Sequence, residues 1–323
     1  MIRDIWRRLL AEPAPSVSAD FFQLGGDSLS MQRLALALSN RFGIRVSARD
    51  VMTVPTIEQQ AELVTGQLTA HERGRPVPPQ WEADVRLPED ITGDRPPASS
   101  RYGDVLLTGA TGFVGAQLLR ELLTRTDATV HCLVRADDQV TARCRLADNL
   151  RTYLLWDDAV ADRIVAVPGD LSAPRLGLSE RDHGALAKRI DAVVHNGALV
   201  NLILSYGVHQ PANVTGTLSV LRLASTTTTK PVHFISTLGV IARTELDRRP
   251  GLFPEAPPPV HQAPPDGYSQ SKWVAERLLG LAEQRGIPMA VYRLGEVMPH
   301  SQTGVPNPRG LMELLVHACL QVG

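Results

Sequence analysis

Asp104-Val105-Leu106-Leu107-Thr108-Gly109-Ala110-Thr111-Gly112-Phe113-Val114-Gly115 is a short β-rich run, a glycine turn and the start of a helical pattern that continues through Leu118, Leu119, Leu122 and Leu123. Strand, glycine-rich turn and helix in that order open a nucleotide-binding unit. The glycines serve, in turn, a tight bend, close approach of backbone to a pyrophosphate, and close packing of helix on strand. The Gly-x-x-Gly-x-x-Gly spacing alone is weak, because glycines are common in turns. Its place directly after an apolar strand gives it weight.

Further strands are expected at 128–134, 164–167, 192–195, 232–235 and 289–292, with helical stretches between most of them. Such alternation predicts a Rossmann-like, doubly wound parallel α/β sheet covered on both faces, with ligands at the carboxyl ends of its strands. Thr108, Gly109, Thr111, Gly112, Phe113, Val114 and Gly115 are therefore the candidate cofactor turn. Asp170-Leu171 and Asn196 with Ala198 follow the third and fourth strands, where adenine and nicotinamide ribose belong. The second strand ends at Arg135, twenty positions beyond Gly115, where NAD-preferring enzymes carry an acid for the ribose 2′-hydroxyl. A cation there suits a 2′-phosphate, so NADPH is the expected cofactor, with Asp137 and Asp138 as nearby competing acids.

Gly267-Tyr268-Ser269-Gln270-Ser271-Lys272-Trp273 opens another helix, on which Tyr268 and Lys272, four apart, share a face. A free phenol titrates near 10, and Lys272 together with a nicotinamide charge is expected to lower Tyr268 by about a unit or more. Thr237 leaves its strand at the carboxyl end, so Thr237 and Tyr268 form a candidate two-donor oxyanion site. Seven prolines between Pro250 and Pro265 predict a long irregular loop bordering the substrate entrance.

The N-terminal 70 residues read differently. Ile2, Ile5, Trp6, Leu9 and Leu10 space as one amphipathic helix and Leu29 to Phe42 as a second. A short Val46–Val54 segment and a helix opening at Pro55-Thr56 complete a small four-helix bundle. Within it, Leu24-Gly25-Gly26-Asp27-Ser28-Leu29 places Ser28 at a loop-to-helix junction, where free amides favour a phosphate. Asp27 and Ser28 are also ordinary capping residues. Six prolines between Glu72 and Ser100 predict a semi-rigid linker over 71–101, dividing the bundle (1–70) from the nucleotide-binding part (102–323).

The formal charge of -1 offers no basic surplus for nucleic acid or an anionic membrane. Cys132, Cys144 and Cys319 lack the spacing of a metal site or a disulfide framework, and no apolar run approaches membrane-spanning length. A cytoplasmic protein with neither metal, nucleic acid nor membrane among its partners is expected.

From Phe22 through Leu29 the bundle resembles the phosphopantetheine carrier domains of nonribosomal peptide synthetases. The rest, through Thr108 to Gly115, Asn196 to Asn201, Phe234 to Thr237 and Gly267 to Trp273, resembles the extended short-chain dehydrogenases, and more closely the thioester reductase domains that end some synthetases. The resemblance implies a 4′-phosphopantetheine on Ser28, added by a phosphopantetheinyl transferase and carrying an acyl or peptidyl thioester from upstream modules. It implies NADPH-dependent reduction of that thioester to an aldehyde, with Thr237 and Tyr268 holding the oxyanion and Lys272 orienting the cofactor ribose. A further step to the alcohol stays open. Alternatives are a non-reducing, cyclising release domain, whose relatives tend to lose the tyrosine, and a fragment of a carboxylic acid reductase. The family continues into a smaller helical substrate-binding portion, so the chain is expected to be C-terminally incomplete.

Overall fold

The computed structural model describes residues 1–10, 15–42, 44, 46–72, 80–99, 102–241, 255–257, 264, 266–308 and 310–322. The chain forms two compact units, Met1–Pro79 and Gln80–Gly323.

The described part of the first unit contains four helices: α1 (Ile2–Leu10), α2 (Ser28–Phe42), α3 (Ala48–Thr53) and α4 (Ile57–Glu72). Trp6 is fully buried at their centre, edge-on to Phe21 at 5.0 Å, with Leu34, Leu38 and Val51 around it. Its indole N–H donates to Gln60 Oε1 at 2.9 Å, and the Gln60 amide donates onward to the Val54 carbonyl at 3.1 Å. Both polar groups are thereby satisfied away from water. The Val46–Val54 segment becomes α3 because Ser47 and Asp50 cap each other's backbone N–H at its start.

The second unit is built on six parallel strands: β1 (Asp104–Thr108), β2 (Thr129–Val134), β3 (Ile164–Pro168), β4 (Ala192–His195), β5 (Val232–Thr237) and β6 (Met289–Leu294). Their order is β3-β2-β1-β4-β5-β6. The order reverses between β1 and β4, the crevice where such sheets bind ligands. Successive residues of a strand face opposite ways. Leu106 accordingly joins Val193 and Phe234 in one core, under helices Gly216–Ser225 and Gly267–Gln284. Val105 and Leu107 join Val130 in the other, under helices Phe113–Arg125 and Gln139–Thr152.

The expected linker over 71–101 is corrected in its second half, where Gln80 onward is a strap belonging to the second unit. Leu87 and Ile91 are buried in the core, and Trp81 meets Trp273 edge-on at 5.1 Å. Arg285 donates to the Leu87, Pro88 and Ile91 carbonyls, and Pro96 and Ala98 exchange backbone hydrogen bonds with Thr229. Prolines mark extended backbone, and here that backbone lies against a surface with its polar groups paired. No described helix is long and apolar enough to cross a membrane.

Candidate active site

β1 delivers Thr108 and Gly109 to the switch point. Gly109 adopts a φ of +73°, and a Cβ there would lie 2.6 Å from Gly197 Cα. A Cβ on Gly115 would sit 1.9 Å from the Gly109 carbonyl oxygen, so only glycine lets the helix approach the strand end this closely. Gly112 begins the Phe113–Arg125 helix without any side-chain cap. Its first-turn amides are thus left for an anion, and this uncapped glycine cradle fits the pyrophosphate of a dinucleotide. Phe113 is buried against Tyr153, and Val114 packs toward the same core, so both offer backbone rather than side chain to a ligand. Thr111 is half-buried, and Asn149 steadies the turn by donating to the Ala110 carbonyl at 3.2 Å.

The ends of β1 and β4 are tied through a buried histidine. Thr217 donates to the Asn213 carbonyl at 2.6 Å, so its oxygen accepts from His195 Nε2 at 3.1 Å. His195 Nδ1 then accepts from the Thr108 hydroxyl at 2.7 Å, and Thr108 in turn accepts from the Gly197 amide at 2.9 Å. Every proton has one place, which fixes the tautomer. Burial, helped by the Lys272 charge, pushes His195 down to about 3.

The remaining expected cofactor residues sit at the same edge. Arg135 follows β2 with its side chain exposed, and its carbonyl accepts from Arg145. Asp138 is taken up as the cap of the next helix, accepting from the Thr141 amide at 2.7 Å. Asp170 holds its own turn, one carboxylate oxygen accepting from both the Ser172 amide and hydroxyl. Asn196 donates to the Gly109 carbonyl at 3.2 Å, and Ala198 is half-buried beside it. A Cβ on Gly197 would strike the Leu171 side chain at 2.6 Å, so that leucine closes the gap between two strand ends.

Thr237 ends β5, and its hydroxyl oxygen accepts from the Gly239 amide at 3.1 Å, which leaves its own proton to donate. A Cβ on Gly239 would meet both Ser269 Oγ (2.6 Å) and Thr237 Oγ1 (3.4 Å), so the strand end and the tyrosine helix close on each other there. Asp266 caps that helix through the Ser269 amide. At Gly267 a Cβ would lie 2.3 Å from the Tyr206 nitrogen, so glycine lets Tyr268 enter at this depth. The helix is also clamped from the side: Asn213, within a π-helical turn, donates to Ser271 Oγ and to the Leu199 carbonyl and accepts from the Leu199 amide.

Lys272 is buried, donating from Nζ to the Ile235 carbonyl at 2.6 Å, with burial pulling it down to about 7. Tyr268 is lifted to about 12 by burial and by Asp266. This reverses the expectation that Lys272 lowers the phenol: the ammonium is directed at β5, and desolvation outweighs any charge. One turn on, Glu276 accepts from Ser236 and from both Nε and Nη2 of Arg293 on β6, cross-tying β5, β6 and the helix.

Most of the Pro250–Pro265 loop lies outside the described residues. Its Glu255–Pro257 part lines a cleft of about 700 Å³ with Leu238, Ile241 and Arg293.

In the first unit, Ser28 is the first residue of α2. The cap of α2 is Asp27, whose Oδ1 accepts from the Ser30 amide at 2.7 Å.

Sequence spacing does not single out His195, Asn213 or the Glu276–Arg293 pair as site residues. A signal for Glu276 exists, an acid one turn after Lys272. The other two are recognisable only from tertiary contacts.

A serine-bearing helical bundle and a Rossmann-type unit, the latter with a threonine at a strand end and a tyrosine and lysine on the neighbouring helix, define the class: a four-helix unit and a dinucleotide-binding α/β unit in one chain. Residues 107–323 match the model of the NAD-binding family described as "Male sterility protein", and residues 2–64 match that described as "Phosphopantetheine attachment site". The chain belongs to this NAD-binding family, with a phosphopantetheine carrier unit before it. A linear gramicidin synthase polypeptide of Brevibacillus parabrevis is 39% identical over 334 residues, covering all of this chain and 6% of that protein. The terminal R domain from the myxalamid PKS-NRPS pathway is 42% identical with a TM-score of 0.69, covering 75% of this chain and 62% of that one. A thiolation-reductase di-domain from an archaeal non-ribosomal peptide synthetase is 25% identical with a TM-score of 0.57, covering 93% and 63%. The chain thus spans less than two thirds of each of these relatives.

Proposed function

We propose that the protein performs NADPH-dependent reductive release of an acyl or peptidyl thioester held on 4′-phosphopantetheine at Ser28, giving the aldehyde. The observation that carries this reading is Thr237, with a proton free to donate, closing through Gly239 onto the helix of Tyr268. Reduced nicotinamide, when bound, supplies the hydride. The Thr237 and Tyr268 hydroxyls donate to the carbonyl oxygen as it gains charge, and a phenol held near 12 stays protonated for that purpose. Lys272 orients the cofactor ribose. The uncapped turn from Thr108 to Gly115 takes the pyrophosphate, and Arg135 takes the 2′-phosphate. Asp170, Leu171, Asn196 and Ala198 border the adenine and nicotinamide ribose.

A phosphopantetheinyl transferase and upstream synthetase modules are the partners this chemistry requires, and the cytoplasm is where they would meet. The domain assignment follows: a carrier to about residue 70 and a reductase from the strap onward. The test is to load Ser28 with a model acyl-pantetheine, add NADPH and trap the product. Aldehyde that disappears with Tyr268→Phe supports the reading. A cyclised product, or no NADPH consumption by the intact loaded protein, overturns it.

A further inference from the structure

Ser271, on the Tyr268 helix, is fully buried. Its hydroxyl donates to the carbonyl of Tyr268 itself at 2.6 Å and accepts from Asn213 Nδ2 at 2.8 Å. The Asn213 carbonyl accepts from the buried Thr217 hydroxyl at 2.6 Å. Thr217 accepts from His195 Nε2, and His195 Nδ1 accepts from Thr108, at the head of the cofactor turn. Every donation therefore runs one way, from the strand end that carries Gly109 to the backbone of Tyr268. Thr108, Thr217 and Ser271 are 0% exposed, His195 1% and Asn213 2%, so no water can stand in for a lost partner along this run. Hydrogen bonds aligned head to tail in such surroundings also polarise one another. The Thr108 hydroxyl, engaged by both His195 and the Gly197 amide, is held inward, and the turn offers a ligand its backbone.

We propose that Thr217 is a positioning residue for hydride transfer: from the middle of this run its hydroxyl couples the nucleotide seat at Thr108 and Gly109 to the setting of Tyr268. The inference rests on the reading of that turn as the nucleotide seat and of Tyr268 as the donor to the substrate carbonyl. A nucleotide settling on the Gly109 turn bears on Thr108 and on Gly197, which the turn already meets closely. His195, Thr217 and Asn213 carry that adjustment to Ser271, whose bond to the Tyr268 carbonyl sets the backbone from which the phenol projects. Coupling between two binding events is reciprocal, so a cut anywhere along the run is felt at both ends. Thr217 makes no bond to substrate and acts only through its neighbours.

The experiment uses the whole chain and reads two quantities: NADPH affinity by fluorescence titration, and hydride transfer in single turnovers of Ser28-loaded protein at saturating NADPH. Thr217→Val keeps the shape and removes the hydroxyl, and Thr217→Ser restores it. Thr217→Val is expected to weaken NADPH binding and to slow hydride transfer, each about fivefold or more, and Thr217→Ser to recover most of both. Since Thr217→Val and Ser271→Ala cut the same run, the double variant is expected to lose little more than Thr217→Val alone. Losses that multiply, or a Thr217→Ser as impaired as Thr217→Val, overturn the proposal in favour of local packing. A second measurement needs only the wild-type fold: with ¹⁵N-histidine, His195, assigned among nine histidines by His195→Gln, is expected to shift at both Nδ1 and Nε2 when NADPH binds. A shift confined to Nδ1, or none, overturns the coupling. A wild-type chain that binds NADPH yet transfers no hydride counts against the reductase reading alone, because titration and resonances still decide the coupling.

Discussion

The ammonium of Lys272 sits 3.7 Å from the centroid of the Phe234 ring, a cation–π pair buried almost completely away from solvent. Phe234 and the Ile235 carbonyl are the surroundings that β5 offers this charge. They offset only part of the hydration it loses, and burial holds the group at about 7 against 10.5 in the unfolded chain. Between those two values the unfolded chain binds the extra proton, so stability rises with pH across that window. Relative to Lys272→Met, the wild-type thermal midpoint is expected to climb from pH 7 to pH 9. Parallel curves for the two proteins would rule the buried charge out.

His195 works on the acid side. Its folded value of about 3 lies below the unfolded 6.5, so the unfolded chain takes up a proton first as the solution is acidified. Stability is lost as pH falls from about 6.5 toward 3. A urea midpoint that drops less steeply over this range in His195→Gln than in the wild type is the expected result. A variant as acid-sensitive as its parent counts against the Thr108–His195–Thr217 tie.

Glu276 is 3% exposed and Arg293 17% exposed, a carboxylate and guanidinium paired almost out of water. Removing one member of such a pair costs about 3–5 kcal/mol, because the other is left charged and buried. Glu276→Ala is expected to lose stability on that scale in denaturant unfolding, and Glu276→Ala with Arg293→Met to regain part of it. Strictly additive losses would mean that the two residues are not coupled.

Arg135 is the exposed cation after β2, and the acid nearest the next helix, Asp138, is occupied as its cap. Arg135→Ala is therefore expected to weaken NADPH binding about tenfold or more while leaving NADH binding nearly unchanged, a loss of one charge-assisted contact to the 2′-phosphate. Fluorescence titration with both nucleotides measures the ratio. A ratio that does not move assigns the 2′-phosphate elsewhere.

The inner strands are legible in the sequence because parallel strands buried on both faces are largely apolar runs, as in Asp104–Thr108 and Ala192–His195. The Gly109 to Gly115 turn is legible partly for a local reason, since the helix approach at Gly115 is limited by the Gly109 carbonyl a few residues back. The strap is not: Trp81, Leu87 and Ile91 are too few and too scattered among prolines to set a period. Tyr268 is raised rather than lowered because spacing records that two groups share a helix face, not how much water each loses. Asn213 and His209 are invisible in the sequence because their partners Leu199, Ser271 and Tyr268 come from other parts of the chain.

The strap also bears on where such a protein can be cut. Tyr206 donates to Asp84 at 2.5 Å, Arg222 pairs with Asp90, and Trp81 rests on Trp273 of the tyrosine helix. A second unit excised at residue 102, where the first strand begins to show in the sequence, loses Ile91 and Leu87 from its core and leaves Arg285 without the carbonyls it donates to. For exchanging the first unit the natural seam is therefore ahead of Gln80, and a recombinant in which the second unit keeps its strap keeps the Tyr268 helix braced whatever is fused in front.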